Sequence, residues 1–352
     1  MHSTDMNNKP DVELFLCLPE DDRKDILQNM STKRGQTPAV LEKDVWVCWA
    51  LKTLFEIPQP HPMAFKGGTS LSKVYNAIER FSEDIDVTLD YKSMHPSAEP
   101  FKENLSKTQL NKLSVALREL VSQHTHNVIL PAFRDALAEQ FGDASYKAEL
   151  TDDGEKLSIH YGPLFQPDYI RDKVLIEFGG RNAIAPNATV PVRPYIAEDL
   201  PHLGFPEANV MVLAPERTFW EKVTLMHAEC YAKKLDKLER KCRHWYDVYK
   251  LSKMPIGQRA LADRELLHDV VRHKIVFYAS NAANYEACSD AMKLVPDDEM
   301  LRALEQDYRK MVNDGMFYAE PPAFDVLIGE LRILEKLVNA APAATNVKGV
   351  GV

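Results

Sequence analysis

Between Asp84 and Asp90 the chain reads DIDVTLD, in which Asp84, Asp86, Thr88 and Asp90 alternate with Ile85, Val87 and Leu89. A period of two predicts a β-strand with one polar and one apolar face. Upstream, the short apolar run Met63-Ala64-Phe65 leads through Lys66-Gly67-Gly68 into Ser70 to Glu79, where Leu71, Val74, Tyr75 and Ile78 recur at helical spacing. Gln36 to Phe55 predicts another helix. Thr37 is an N-cap residue, Pro38 fits the first turn, and VLEKDVWVCWALKTLF runs without a breaker as far as EIPQPHP. Residues 11 to 30 also read as helical.

Beyond the D-x-D strand, YKSMHPSAEPFKENLSK is polar and interrupted by prolines, which predicts a loop, and Leu110 to Glu139 predicts one or two helices. KLSIHYG from Lys156 and KVLIEFGG from Lys173 read as strands, followed by a proline-rich connection from Ala185 to Pro206. VMVLAPERTFWEKVTLMHAECYAKK reads as a short strand and a long helix with Pro215 near its first turn. From Arg240 the pattern is mostly helical, and the low-complexity end APAATNVKGVGV predicts a disordered tail.

A chain of 352 residues can bury one large core or two ordinary ones. No run approaches the roughly 18–20 apolar residues of a membrane helix, and MHSTDMNNKPDVELF has neither the basic start nor the apolar centre of a secretory signal. A cytoplasmic protein with no membrane partner is expected. The five cysteines are odd in number and form no C-x-x-C, against a disulfide framework or a closed zinc site. A net charge of −9 argues against indiscriminate coating of nucleic acid but permits a local basic groove. The best candidate is YAKKLDKLERKCRH, where Lys233, Lys234, Lys237, Arg240, Lys241 and Arg243 face only Asp236 and Glu239, with Tyr231, Trp245 and Tyr246 nearby for stacking. Such a run is either a solvated helix face or a contact for an RNA backbone.

The candidate chemistry lies at the glycines and the carboxylates. Residues two apart on a strand project together, so Asp84 and Asp86 repel unless a cation lies between them. A hydrated magnesium ion, or two, suits such carboxylates together with substrate phosphates. A glycine lets the backbone approach a phosphate closely, and the first N–H groups of the following helix add donors, with Thr69 offering a hydroxyl. Glu177 is the one charge in the apolar run KVLIEFGG: either a buried carboxylate that needs a partner or an edge-strand glutamate facing water.

The segments EKDVWV (Glu42 to Val47), FKGGTSLSKVY (Phe65 to Tyr75), RFSEDIDV (Arg80 to Val87), ERTFWEKVTLMH (Glu216 to His227) and RHWYDVYKL (Arg243 to Leu251) together resemble the AbiEii-like nucleotidyltransferase toxins of type IV toxin–antitoxin systems. The resemblance runs from about residue 36 to 252, and its GGTSLSK…RFSEDID block is the most specific part. It implies an α+β, polymerase-β-like nucleotidyltransferase core with a mixed sheet and a helical C-terminal region. It also implies transfer of a nucleoside monophosphate from NTP to an RNA, with the tRNA 3′ end as acceptor and translation as the process blocked. Carried over by position, Gly68 and Thr69 would hold phosphate, Asp84 and Asp86 would ligate magnesium, and Glu177 would be the third carboxylate. Lys222 and Asp247 match the family's lysine and late acidic position, and Lys66, Gly67 and Arg243 are counted with the nucleotide-binding residues. Thr69 where relatives often have serine, and glutamate at 177 where wider relatives have aspartate, are departures that keep the chemistry.

Read from the residues alone, Lys222 is a point charge for a phosphate or a surface lysine on an amphipathic helix, and Asp247 is a site acid or the i,i+4 ion-pair partner of Arg243. His227 and His244 read as packing or hydrogen-bonding residues. The expected organisation is an N-terminal helical region (1–60), a catalytic core (61–250), a helical domain (251–340) and a tail (341–352). The expected partners are NTP, an RNA acceptor and a cognate antitoxin encoded next to the gene. The alternatives are nucleotidylation of a protein hydroxyl, or a nucleotide- or partner-binding scaffold without turnover.

Overall fold

In the computed structural model, residues 13–142, 144–165, 170–232, 238–278, 280 and 282–340 are described. The expected tail, and Lys233, Lys234 and Lys237 of the basic run, lie outside them. Helix α1 (Glu20–Arg34) leads to α2 (Pro38–Glu56), where the Thr37 hydroxyl accepts the Val40 N–H at 3.4 Å, the predicted cap. Every residue of α2 from Ala39 to Leu51 is buried, so this helix is the spine of the first core and not a surface element.

Strand β1 (Met63–Lys66), helix α3 (Gly67–Lys73) and strand β2 (Ile85–Leu89) follow. Helix α3 stops earlier than its apolar spacing predicts, because the chain turns at Asn76 with φ 45°. Tyr75 therefore reaches away from the helix to donate to the Leu213 carbonyl at 3.0 Å. The expected loop after Asp90 begins with the short helix α4 (Tyr91–Met94), whose Lys92 N–H is accepted by the Asp90 side chain at 3.2 Å. Helices α5 (Lys107–His124) and α6 (Leu130–Gln140) are joined by a π-helical turn at Thr125–Ile129, just before Pro131, which has no N–H to continue the ladder.

The remaining strands are β3 (Lys147–Leu150), β4 (Lys156–His160), β5 (Lys173–Gly179), β6 (Asn187–Val192) and β7 (Ala208–Leu213). Together they form one mixed sheet in the order β3-β4-β5-β2-β1-β7-β6. Strand β2 pairs antiparallel with β1 and parallel with β5, in a register that sets Lys66 and Glu177 opposite Asp86. Strand β6 falls in the stretch expected as a proline-rich connection. It is an edge strand, and an edge is where a sheet tolerates Pro191.

Helices α7 (Pro215–Ala232), α8 (Cys242–Ser252), α9 (Pro255–Ala262), α10 (Arg264–Phe277), α11 (Asp298–Asn313) and α12 (Phe324–Ala340) complete the chain. Two apolar clusters result. One joins α1, α2, α5 and α6 to the sheet, with Trp46 stacked on Tyr161 at 4.9 Å. The other gathers α7 to α12 and reaches back to Leu71, Ala77 and Ile78. The second cluster includes Phe219 of α7 and Trp245 of α8, both upstream of residue 251, so α7 and α8 pack with the C-terminal helices. Among the described residues no helix is long and apolar enough to cross a membrane.

Candidate active site

The turn from β1 into α3 is built around glycine for two separate reasons. Gly67 has φ +82°, and a Cβ there would lie 2.0 Å from Asp86 Oδ2. At Gly68 a Cβ would meet Ser82 Oγ at 2.7 Å and Arg80 Nη2 at 2.9 Å. The missing side chains thus allow a carboxylate and a guanidinium to close on the backbone at the start of a helix whose first N–H groups receive no side-chain cap. Gly67→Ala is expected to cost about 1–3 kcal/mol from the backbone conformation. Displacement of the Asp86 carboxylate is expected to lower transfer by about a hundredfold. Melting curves and single-turnover assays on the same preparation check both.

The Thr69 hydroxyl, expected to face a phosphate, is engaged within the protein. The residue is buried, and its hydroxyl donates to the Asp84 carbonyl at 2.5 Å with Ser82 Oγ 3.0 Å away. Its work is to fasten α3 to the segment entering β2.

The carboxylates differ in what holds them. Asp84 lies just before β2 and accepts from Arg171 Nη1 at 2.9 Å, with Arg243 Nη1 at 3.9 Å. Glu177 sits on an internal strand, not an edge, yet its side chain is 38% exposed and pairs with Lys156 at 2.7 Å. Asp86 is half-buried, and among the described residues its carboxylate accepts no hydrogen bond and forms no ion pair. Burial first, then the nearby Glu177 and Asp84, push its carboxyl up to about 6 against the opposing pull of Lys66 and Lys222. Among the described residues no three His, Cys, Asp or Glu side chains already converge on one metal position. The polar face of β2 is also shorter than its alternation predicts, since Thr88 is fully buried.

Lys222 is not a surface lysine. It is buried on α7, with Nζ 3.0 Å from Asp247 Oδ2. Asp247 is wholly buried on α8 and does not pair with Arg243 along its own helix; it accepts from Arg80 Nε at 2.6 Å and Nη2 at 2.7 Å. Burial would raise the Asp247 carboxyl, but Arg80 and Lys222 outweigh it and hold it below the usual range. Burial pushes the Lys222 ammonium down against the attraction of Asp247. Beside them His244 is held neutral, well below its ordinary range, by burial and then by Lys222, Arg243 and Arg80. Of the basic run, Lys241 pairs with Glu229 at 2.6 Å and Arg240 lies 3.6 Å from Glu83.

Two features escaped the sequence reading. Arg171 fixes Asp84, and its own backbone is held by Glu83 Oε2, which accepts its N–H at 3.1 Å, and by Lys43, which donates to its carbonyl at 2.9 Å. Lys43 belongs to the run Glu42-Lys43-Asp44, three consecutive charges buried in the middle of α2. Glu42 accepts the N–H groups of Leu164 (2.9 Å) and Phe165 (3.3 Å), and Asp44 takes Lys73 and the Tyr195 N–H. Burial lifts the Glu42 carboxyl to about 7, with those two N–H groups opposing. The signal was visible: three adjacent charges inside an otherwise apolar helix need partners from distant segments.

A mixed sheet with helices, a glycine turn facing a D-x-D strand, and a lysine from a following helix define the class of nucleotidyltransferases. The model of the family described as "Nucleotidyl transferase AbiEii toxin, Type IV TA system" matches residues 49–330, and the chain belongs to that family. It is accordingly a nucleotidyltransferase, with the α+β fold expected from the motifs. Among solved structures, the nucleotidyltransferase toxin MenT4 of Mycobacterium tuberculosis is similar in fold, with a TM-score of 0.51 and 17% identity over 93% of this chain and 91% of that one. No curated protein matches the sequence.

Proposed function

We propose that this protein transfers a nucleoside monophosphate from NTP to the 3′ end of an RNA, with tRNA as the acceptor, in a metal-dependent reaction that blocks translation in the cytoplasm, and that a cognate antitoxin encoded beside it restrains it. The observation that carries the reading is Asp86. An unpartnered, half-buried carboxylate in contact with a glycine turn, with two more acids nearby, is costly to keep unless the reaction uses its charge.

The donor set fits a hard divalent cation, for which magnesium is the natural choice: the Asp86 carboxylate accepts no hydrogen bond among the described residues, and Asp84, held by Arg171, is close enough to raise the Asp86 carboxyl. These two carboxylates would hold the ion, with Glu177 joining only if it leaves Lys156. When bound, a divalent cation stabilises charge on the phosphates and lowers the pKa of an attacking hydroxyl. The rest falls to the chain itself. Gly67 and Gly68 let the backbone approach the phosphates, and the uncapped N–H groups of α3 offer donors. Arg243 adds positive charge beside Asp84, and Lys222, fixed by Asp247, adds it beside Asp86. The acceptor hydroxyl forms a bond to the α-phosphorus as the bond to pyrophosphate breaks, and the positive side chains offset charge on the leaving group.

The test is incubation of purified protein with tRNA, magnesium and each labelled NTP, reading label on the RNA. No labelled RNA with any NTP overturns the proposal. A second expectation concerns pH. Because Asp86 titrates near 6 without metal, the magnesium needed for half-activity should rise about tenfold per pH unit below about 6 and level off above it. A pH-independent requirement would remove Asp86 from the metal.

A further inference from the structure

A second group of cations lies beyond Lys66. Consecutive residues of α7 point about 100° apart. Lys222 therefore turns to Asp247, while Glu221 turns to Lys66 at 3.0 Å. Glu221 also accepts from Asn182 at 2.6 Å and lies 3.6 Å from Arg217, which pairs in turn with Asp269 at 2.7 Å. Burial would raise the Glu221 carboxyl, but Lys66, Lys274 and Arg217 together bring it down to about 2.

Once Lys66 is set against Glu221 and Arg217 against Asp269, two cations are left over. Lys274 of α10 forms no ion pair among the described residues, and its ammonium lies over the Tyr278 ring, 4.7 Å from the centroid. The Arg181 guanidinium lies over the same ring at 5.1 Å, and its polar contact is the neutral Ser114 hydroxyl at 3.3 Å. An aromatic ring positions cations without neutralising them, so their charge stays available to an anion. Burial above all pushes the Lys274 ammonium down to about 8, with Lys66 and Arg217 adding to it and Glu221 pulling the other way. Ser114 also lines a cleft of about 670 Å³ between α5 and the end of α10, bounded by Asn111, Phe277 and Tyr285.

We infer that Arg181 and Lys274, held around Tyr278, bind the phosphodiester backbone of a single-stranded acceptor RNA whose 3′ end passes Lys66 to reach Asp86. The inference rests on the RNA-acceptor reading above. In-line displacement requires the acceptor and the departing pyrophosphate to lie on opposite sides of the α-phosphorus. Lys222 and Arg243, which the reading above sets at the phosphates, serve the pyrophosphate side. The Lys66 side, with its two surplus charges and an adjoining cleft, suits a polyanion that carries the attacking hydroxyl.

The test compares wild type with the Arg181→Gln/Lys274→Gln double variant, after melting curves establish that both are folded. A fluorescent single-stranded RNA with a free 3′-hydroxyl is titrated at several salt concentrations, and NTP affinity and transfer are measured separately. The variant should bind RNA about tenfold or more weakly at low salt, with a log–log salt slope shallower by about 1.4, or ~0.7 per lost phosphate contact. Its NTP affinity should match wild type. Tyr278→Phe should bind like wild type and Tyr278→Ala like the double variant, which separates the ring's positioning role from its hydroxyl. If wild type binds and labels RNA while the variant shows equal affinity and slope, this inference falls and the RNA-acceptor reading stands. If wild type neither binds nor labels RNA, or labels a protein instead, the reading fails and the inference with it.

Discussion

Asp86→Asn is expected to abolish nucleotide transfer and at the same time to raise the melting temperature at neutral pH. Transfer is lost because the amide removes the site carboxylate whose oxygens, among the described residues, have no hydrogen-bond or ion-pair partner and so can meet a cation. The gain in stability follows from the direction of its titration. The folded state raises the carboxyl from the ordinary 3.8 to about 6, so folding works against the ionised form. That penalty is absent below about pH 4, grows as pH rises between the two values, and is complete above about 6. With solvent screening allowed for at a half-buried group, the neutral amide should return about 1–2 kcal/mol at pH 7, or a few degrees in Tm. Melting curves at pH 4 and pH 7.5 decide the matter: the variant's advantage should appear only at the higher pH. A destabilised Asp86→Asn protein at pH 7.5, or one with normal turnover, would contradict the account of this site.

What could be read from the sequence was what local chemistry decides. Thr37 and Pro38 mark the start of α2, the period of two marks β2, and the glycine pair marks a turn in contact with a strand acid, because each signal lies within a few residues of the structure that it specifies. What the sequence left open concerns partners far along the chain. Lys222 looks like a surface lysine because nothing nearby in sequence balances it; its counter-ion Asp247 comes from the next helix, and the second cation, Arg80, is 167 residues from Asp247. Asp247 and Arg243 have the right spacing for a helical ion pair, but the buried face of α8 brings Asp247 to cations that it cannot leave. The Thr69 hydroxyl finds its acceptor, the Asp84 carbonyl, 15 residues further on at the entrance to β2. Strand β6 was hidden by a proline that only an edge position permits.

The buried group of Arg80, Asp247 and Lys222 should give the largest loss of stability of any single change at the site, and the loss should be unequal among its members. Among the described residues Asp247 is the carboxylate that pairs with both Arg80 and Lys222, so Asp247→Ala removes the counter-charge that these two buried cations share. Breaking a buried pair in this way costs about 3–5 kcal/mol, which for a chain of this size lowers Tm by about 4–7 °C. Lys222→Met should cost less, because Asp247 keeps its two-pronged contact with Arg80 at 2.6 and 2.7 Å and the methionine fills the space. In the Asp247→Ala background the order should reverse. Adding Lys222→Met then removes an unpaired buried cation and should recover part of the lost stability. Transfer should fall in Lys222→Met even where the fold is intact, since the ammonium beside Asp86 is gone while the carboxylates remain. The measurement is a double-mutant cycle by chemical denaturation, run beside single-turnover transfer. Additive losses would mean that Lys222 and Asp247 are not coupled, and full activity in Lys222→Met would confine the lysine to holding the fold.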